Sequence, residues 1–165
     1  CERVSELVQN VGVLSTTLAE DPDTGPTNLS AVLATEVRMA RQNWPTAEIV
    51  ADFPAQTWVV ADRFLDTVCE NLLRNAVEHN DKETPRVEVN VETGEEVVHL
   101  RVADNGPGLT AEECEQAFQR GTRGDEGVGL YLVGTLVERY GGAVEVADND
   151  PEGAVFTATL PAAEE

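Results

Sequence analysis

Two asparagines one helical turn apart, Asn71 and Asn75, have a spacing that suits the binding of a ligand or a hydrated cation. At about 100° per residue, both of them and Glu78 fall within a wedge of roughly 60° on a helix. The wedge borders the apolar face of the segment and does not lie on the solvent-facing side. Alternatively, the amides are ordinary residues of a helix surface, and this segment alone leaves both interpretations open.

An aspartate at the end of an apolar strand is the second candidate. In the segment 98–104 the apolar residues alternate and share one face, and Asp104 falls on that same face. A carboxylate in that position must be paired or hydrogen-bonded, because burying it alone is costly. A tight turn with two glycines follows at 105–108. Asp104 is therefore either an exposed residue before a simple turn or an acceptor for the amino group of a ligand.

A glycine-rich polar segment supplies the third candidate, with glycines at positions 121, 124, 127 and 129. It runs into a predicted helix, where bare backbone N–H groups suit phosphate oxygens. It is not a Walker A loop, because no Gly-Lys-Ser/Thr follows. It is not a dinucleotide-binding fingerprint either, because a polar loop and not a strand precedes it.

The elements that must position these residues follow from hydrophobic periodicity. Helical spacing marks five segments: 2–19, 28–44, 62–80, 111–117 and 128–140. Alternation marks six strands: 47–53, 57–60, 86–91, 97–103, 143–147 and 154–160. The first helix has the heptad spacing of a bundle or coiled coil. Runs of antiparallel strands with helices between them predict an α+β fold, a two-layer sandwich.

The charge of the chain is strongly acidic. Its 165 residues include 31 acidic and 11 basic side chains, for a net charge of −20, and Lys82 is the one lysine. This balance argues against nucleic acids and anionic membranes as partners. Acidic residues spread along the chain, with almost no lysine, are typical of a protein working in molar salt, where the Debye length is about 3 Å. We therefore predict a halophilic host, with an acidic mesophile as the alternative.

Other features of the sequence narrow the function classes. No run of apolar residues is long enough to predict a membrane-spanning helix. The three cysteines are widely spaced without metal-ligand spacing, and reduced thiols are the simplest interpretation. The first residue is Cys1 and not methionine, from which we expect a piece of a longer protein.

Taken in order, the three candidates resemble the conserved boxes of the ATP-binding domain of sensor histidine kinases. Residues 71–76 are similar to its N box, 104–108 to its G1 box, Phe118 to its F box and 127–133 to its G2 box, while 140–142 and 153–161 match its closing hairpin. The resemblance covers residues 28–161. The acidic composition and the variant at 75–80 are similar to haloarchaeal members of this family.

The resemblance implies a Bergerat fold, in which helices cover one face of a mixed, mostly antiparallel sheet. It also implies that the domain binds ATP and Mg²⁺. Asn75 would bind the metal ion, Asp104 would accept the adenine amino group, and Asn71 and His79 would line the nucleotide site. Asn71 and Asn75 are thus the catalytic candidates. The other nucleotide contacts that it implies are Gly106, Gly108, Arg120, Arg123, Gly127, Val128, Gly129 and Leu130.

Two residues depart from the family pattern. Glu78 stands where the family often has lysine, so a cation that would neutralise phosphate is missing there. Either Arg120 or Arg123 substitutes for it, or Glu78 turns to solvent. Asp125 stands at the usual first glycine of the G2 box, which would make the lid less mobile or close it differently.

The function implied by the resemblance is transfer of the γ-phosphoryl group of ATP to a histidine within a two-component signal-transduction system. Neither His79 nor His99 has the helical His-Glu/Asp context of an acceptor, so we expect the acceptor outside this sequence. Residues 1–20 would be the end of a dimerisation helix, 21–27 a linker, 28–161 the catalytic domain and 162–165 a tail.

The partners implied are an acceptor helix of the same or a partner chain and the receiver domain of a response regulator. The parent protein would be a cytoplasmic or membrane-anchored homodimer, and the isolated fragment could be monomeric.

An ATPase of the same superfamily is one alternative function. However, Asn71 occupies the place of the glutamate that activates water in the hydrolysing relatives, and an amide is a poor base. The other alternative is a degenerate nucleotide-sensing or scaffold module. The departures at Glu78 and Asp125 keep this alternative open.

Overall fold

The computed structural model describes residues 24–78, 80–110, 112, 114, 127–149 and 152–164. The helix predicted for 2–19 lies outside these residues. Of the short helix predicted for 111–117, only Glu112 and Cys114 are described, and both are helical.

Seven strands and three long helices lie within the described residues. The helices are α1 (Leu29–Asn43), α2 (Leu65–Glu78) and α3 (Gly127–Arg139). The strands are β1 (Gly25–Asn28), β2 (Glu48–Asp52), β3 (Trp58–Ala61), β4 (Arg86–Thr93), β5 (Val97–Asp104), β6 (Ala143–Asp148) and β7 (Ala154–Pro161). The six predicted strands and the three long helices of the main domain are confirmed, with ends shifted by at most a few residues.

The five-stranded sheet has the order β2-β4-β5-β7-β6. Strand β2 runs parallel to β4, and the other neighbours are antiparallel. In the centre, Val102 of β5 lies opposite Val89 of β4 and Phe156 of β7. These three side chains are at most 2% exposed and face the helices, which cover one side of the sheet. The predicted α+β, two-layer fold with a mixed, mostly antiparallel sheet is confirmed.

Strand β1 is a seventh strand that the sequence patterns did not predict, because residues 20–26 are rich in proline, glycine and acids. It pairs antiparallel with β3, from Gly25 opposite Ala61 to Asn28 opposite Trp58. The ribbon has two strands, so Pro26 lies at an edge, where its missing N–H costs little. This strand forms because its backbone pairs with a distant segment. Such pairing does not require apolar and polar residues to alternate along the strand.

The start of α1 agrees with the predicted position, and the side chain of its N-cap residue bonds outside the helix. Asn28 is the N-cap residue, yet its side chain makes no hydrogen bond to its own helix. Its Oδ1 instead accepts the backbone N–H of Thr57 at 3.1 Å, and the N–H of Leu29 donates to the carbonyl of Thr57 at 2.7 Å. The asparagine therefore fastens the helix start to the segment before β3.

Helices α2 and α3 are joined at one end by a buried tyrosine. The hydroxyl of Tyr140, just after α3, donates to Oδ1 of Asp62, just before α2. Burial and this contact raise the pKa of Tyr140 above its ordinary value. The backbone leaves α3 through Gly141, whose φ of +90° is left-handed, and the N–H of Gly142 closes on the carbonyl of Val137 at 2.9 Å. The C-terminal end of α3 is therefore tied to the N-terminal end of α2, and the two helices pack against each other.

No helix among the described residues is long and apolar enough to span a bilayer.

Candidate functional site

The carboxylate of Asp104 is buried at the end of β5, as the apolar alternation predicted. The residue is 9% exposed. Its Oδ1 accepts the backbone N–H of Gly106 at 3.0 Å and that of Ala154, from β7, at 3.2 Å. Two fixed donors therefore offset the cost of burying the charge and hold the carboxylate in one orientation.

The turn after Asp104 is bonded to the segment that follows α2. The side-chain amide of Asn80 donates to Oδ1 of Asn105 at 2.7 Å. The same oxygen accepts the backbone N–H of Arg86, at the start of β4, at 2.9 Å. These bonds bring the residues of the predicted G1 box to the end of the asparagine-bearing helix. Nothing in the local sequence pattern marked Asn80 or Asn105 for this contact.

Asn71 lies inside α2 with both ends of its amide hydrogen-bonded. It is 2% exposed, and its Nδ2 donates to the carbonyl of Thr67 at 2.7 Å. Its Oδ1 accepts from Nη2 of Arg74, whose Nη1 pairs with the carboxylate of Glu70 at 2.7 Å. Arg74 is a residue that the sequence analysis missed. The three- and four-residue spacing to Asn71 and Glu70 was a signal that could have found it.

Asn75 is half-buried one turn beyond Asn71, on the same α2 helix that packs across β5. Its amide oxygen is a hard donor of the kind that Mg²⁺ accepts. Within the part of the chain described, no cluster of three or more His, Cys, Asp or Glu side chains could hold a metal ion.

Glu78 is exposed at the C-terminal end of α2. Both arrangements expected for its side chain stay predictions, because Arg120 and Arg123 lie outside the described residues. An acid at this end of a helix is unfavourable for the helix dipole, and the last turn of α2 has no basic residue to offset it.

The start of α3 supplies the remaining described candidates. The helix begins at Gly127, Gly129 is half-buried, and Leu130 is 2% exposed within the core. Leu130 therefore packs under the helix start, whose first N–H groups have no partner within the helix. Seven further residues that were predicted or singled out lie outside the described ranges: His79, Phe118, Arg120, Gly121, Arg123, Gly124 and Asp125.

A carboxylate at the contact between α1 and α2 makes the stability of the domain depend on pH. Burial, followed by the charges of Glu70 and Asp66, raises the pKa of Glu36 from 4.5 to about 7. The folded state binds this proton more tightly than the unfolded chain, so the free energy of unfolding should fall as the pH rises from about 4.5 to about 7. We expect Glu36→Gln to remove that fall.

After allowance for solvent screening of this half-buried group, the gain above pH 7 is on the order of 1 kcal/mol. Thermal unfolding at about pH 5 and about pH 8 measures it. Glu145→Gln, at an exposed position of β6, controls for the loss of one negative charge. Equal stabilisation by Glu36→Gln at both pH values would contradict the prediction.

Comparison with known proteins identifies the family to which this chain is related. A family model described as histidine kinase-, DNA gyrase B-, and HSP90-like ATPase matches residues 61–164. The chain is 30% identical to the C4-dicarboxylate transport sensor protein DctB of Rhizobium meliloti, over 96% of this chain and 28% of that protein. It is 31% identical to the probable sensor histidine kinase TcrY of Mycobacterium tuberculosis, over 97% of this chain and 36% of that protein.

A solved structure is similar in fold. Full-length ShkA in complex with AMPPNP matches with a TM-score of 0.81 and 25% identity, over 97% of this chain and 36% of that chain. The present chain thus spans 28% to 36% of the length of these three proteins.

The matched region contains every described element of the site: α2 with its two asparagines, the turn after Asp104, the start of α3, and the hairpin of β6 and β7. It also covers more than half of the chain. The chain belongs to the family of histidine kinase-, DNA gyrase B- and HSP90-like ATPases.

Proposed function

We propose that this chain binds ATP with Mg²⁺ and performs the phosphoryl-transfer step of a sensor histidine kinase, with the acceptor histidine outside residues 1–165. The observation that carries the proposal is the buried carboxylate of Asp104, fixed by two backbone N–H groups and bonded through Asn105 and Asn80 to the end of the asparagine-bearing helix. The sensor kinases among its relatives support the same activity.

In this proposal Asp104 accepts a hydrogen bond from the adenine amino group. A buried, oriented carboxylate suits an amino group and repels a base that presents an oxygen there. The turn glycines Gly106 and Gly108 are the proposed backbone contacts beside it. His79 forms a further wall of the nucleotide site.

Asn75 is the proposed metal ligand, and the start of α3 faces the phosphates. Mg²⁺, when bound, would neutralise charge on the phosphate oxygens. Backbone N–H groups at the helix start add partial positive charge. The proposed contacts in and before this helix are Arg120, Arg123, Gly127, Val128 and Gly129, with Leu130 packing beneath them.

The asparagine helix favours transfer over hydrolysis. Activation of water needs a base, and the amide of Asn71 is neutral and engaged by Thr67 and Arg74. The neighbouring carboxylate of Glu70 is held by Arg74 at 2.7 Å. We propose that Asn71 positions Arg74 within the site and does not activate water.

The wider setting is also a proposal. The acceptor helix belongs to the same or a partner chain of a homodimeric kinase, residues 1–20 form the end of its dimerisation helix, and a receiver domain takes the phosphoryl group onward. The catalytic domain works in the cytoplasm of a halophilic host, and the net charge of −20 supports that host.

Incubation of the chain with γ-labelled ATP, Mg²⁺ and a fragment that carries the acceptor helix tests the function. We expect acid-labile label on the fragment and none on a fragment whose acceptor histidine is replaced by glutamine. Free phosphate without labelled fragment would show an ATPase instead. ATP binding with neither product would show a nucleotide-sensing module.

A further inference from the structure

The turn between β6 and β7 lies directly against Asp104. Within this turn, residues 149–153, the structure describes Asn149, Glu152 and Gly153. The side-chain Nδ2 of Asn149 donates to the main-chain carbonyl of Asp104 at 2.8 Å. The backbone N–H of Asn149 donates to the carbonyl of Gly153 at 3.0 Å, which closes the turn.

The far end of the turn leaves no room between itself and Asp104. Gly153 has a φ of +106°, and a Cβ on it would lie 1.9 Å from the main-chain oxygen of Asp104 and 2.9 Å from its Oδ1. The next residue, Ala154, donates its N–H to Oδ1 at 3.2 Å. The turn therefore contacts the main chain of Asp104 through Asn149 and its side chain through Ala154.

The outer side of the turn is held by a weaker contact. The carboxylate of Glu152 pairs with Lys82 at 3.0 Å, and both side chains are substantially exposed. An ion pair this exposed is screened by solvent and restrains the turn only weakly. Of the two side chains of this turn that the structure describes in a polar contact, Asn149 is the one bonded to the main chain of Asp104, and its hydrogen bond is half-buried.

We propose that Asn149 is a positioning residue that gives this site its preference for a base with an exocyclic amino group. The inference rests on the proposed function, in which Asp104 receives that amino group. A hydrogen bond to a carboxylate needs its acceptor held within about 0.5 Å, and Asn149 fixes the strand end that carries it. Without this bond the end of β5 can move relative to the rest of the nucleotide site, while the phosphate contacts stay unchanged.

The test compares two nucleotides in the unaltered chain, in Asn149→Ala and in Asn90→Ala. Asn90 is an exposed asparagine of β4 and serves as the matched control. Calorimetry gives the affinity for ATP and for purine riboside triphosphate, which lacks only the amino group. The unaltered chain and the control should prefer ATP by about tenfold to a hundredfold, the value of a hydrogen bond to a charged group.

Asn149→Ala should lower ATP affinity and leave the affinity for purine riboside triphosphate within about twofold, so that the preference falls to a few-fold. Asn149→Asp keeps the side-chain volume and replaces the donor by an acceptor. Asn149→Asp should show the same loss of preference for ATP over purine riboside triphosphate. If the alanine variant unfolds, this variant alone tests the role of Asn149.

A preference unchanged in both Asn149 variants would overturn the inference and leave the proposed function standing. An equal loss for both nucleotides together with a lower melting temperature would also overturn it, because a purely structural role has that effect. Failure of the unaltered chain to bind ATP would overturn the inference and the proposed function together.

Discussion

Asp104→Asn should lower the affinity for ATP by at least about a hundredfold while leaving the fold intact. The amide oxygen of an asparagine can still accept the N–H groups of Gly106 and Ala154, which hold Oδ1 in the present structure. Its NH₂ group would then face the adenine amino group, so that a donor meets a donor. The loss therefore combines a missing charged hydrogen bond with an unpaired buried donor.

Equilibrium dialysis with labelled ATP measures the loss, and far-ultraviolet circular dichroism checks the fold. Asp52→Asn, at an exposed position of β2, is the matched control and should bind ATP like the unaltered chain. An Asp104→Asn variant that keeps its ATP affinity would place the base pocket elsewhere in the molecule.

Asn75→Ala is expected to abolish the dependence of ATP binding on Mg²⁺. The helix should not suffer, because alanine has a higher helix propensity than asparagine and Asn75 is only half-buried. Loss of a metal ligand should weaken binding by at least about a hundredfold in the presence of Mg²⁺. The affinity should then equal that of the unaltered chain in the presence of a chelator.

ATP titrations with and without Mg²⁺ test this second prediction, with Asn43→Ala at the exposed end of α1 as the control. If the Asn75 variant retained the full effect of Mg²⁺, the metal ligand would be another residue.

The elements that the sequence predicted best are those with one buried face. Strand β5 alternates because Val98, Leu100 and Val102 pack against the helices while their neighbours face outward. The same alternation placed Asp104 on the face of the apolar residues, and of the exposed and buried carboxylates that the sequence left open the structure shows the buried one. Helix α2 could be predicted equally well, because its apolar stripe faces the sheet and the other helices.

The elements that escaped prediction depend on contacts between distant residues. Strand β1 exists through its pairing with β3, thirty or more residues further along the chain, and its own sequence has the composition of a linker. The contact of Asn149 with Asp104 likewise joins residues 45 apart. The residues next to Asn149 in the sequence do not indicate which distant residue its side chain will contact.

Arg74 shows a different limit, because its partners are local. Periodicity places it at the border of the apolar face of α2 but does not say that it is 9% exposed and bonded to Asn71 and Glu70. A search for pairs at three- and four-residue spacing would have predicted these contacts. The predicted catalytic role of Asn71 stays a prediction, with its amide now known to hold this arginine.

The central claim is that Asp104 and the asparagine helix form a single MgATP site. A calorimetric titration of the unaltered chain with MgATP tests it most directly. The account predicts saturable binding of one ATP per chain, with the signal lost in Asp104→Asn. No binding by the unaltered chain, or the same binding by the variant, would contradict it.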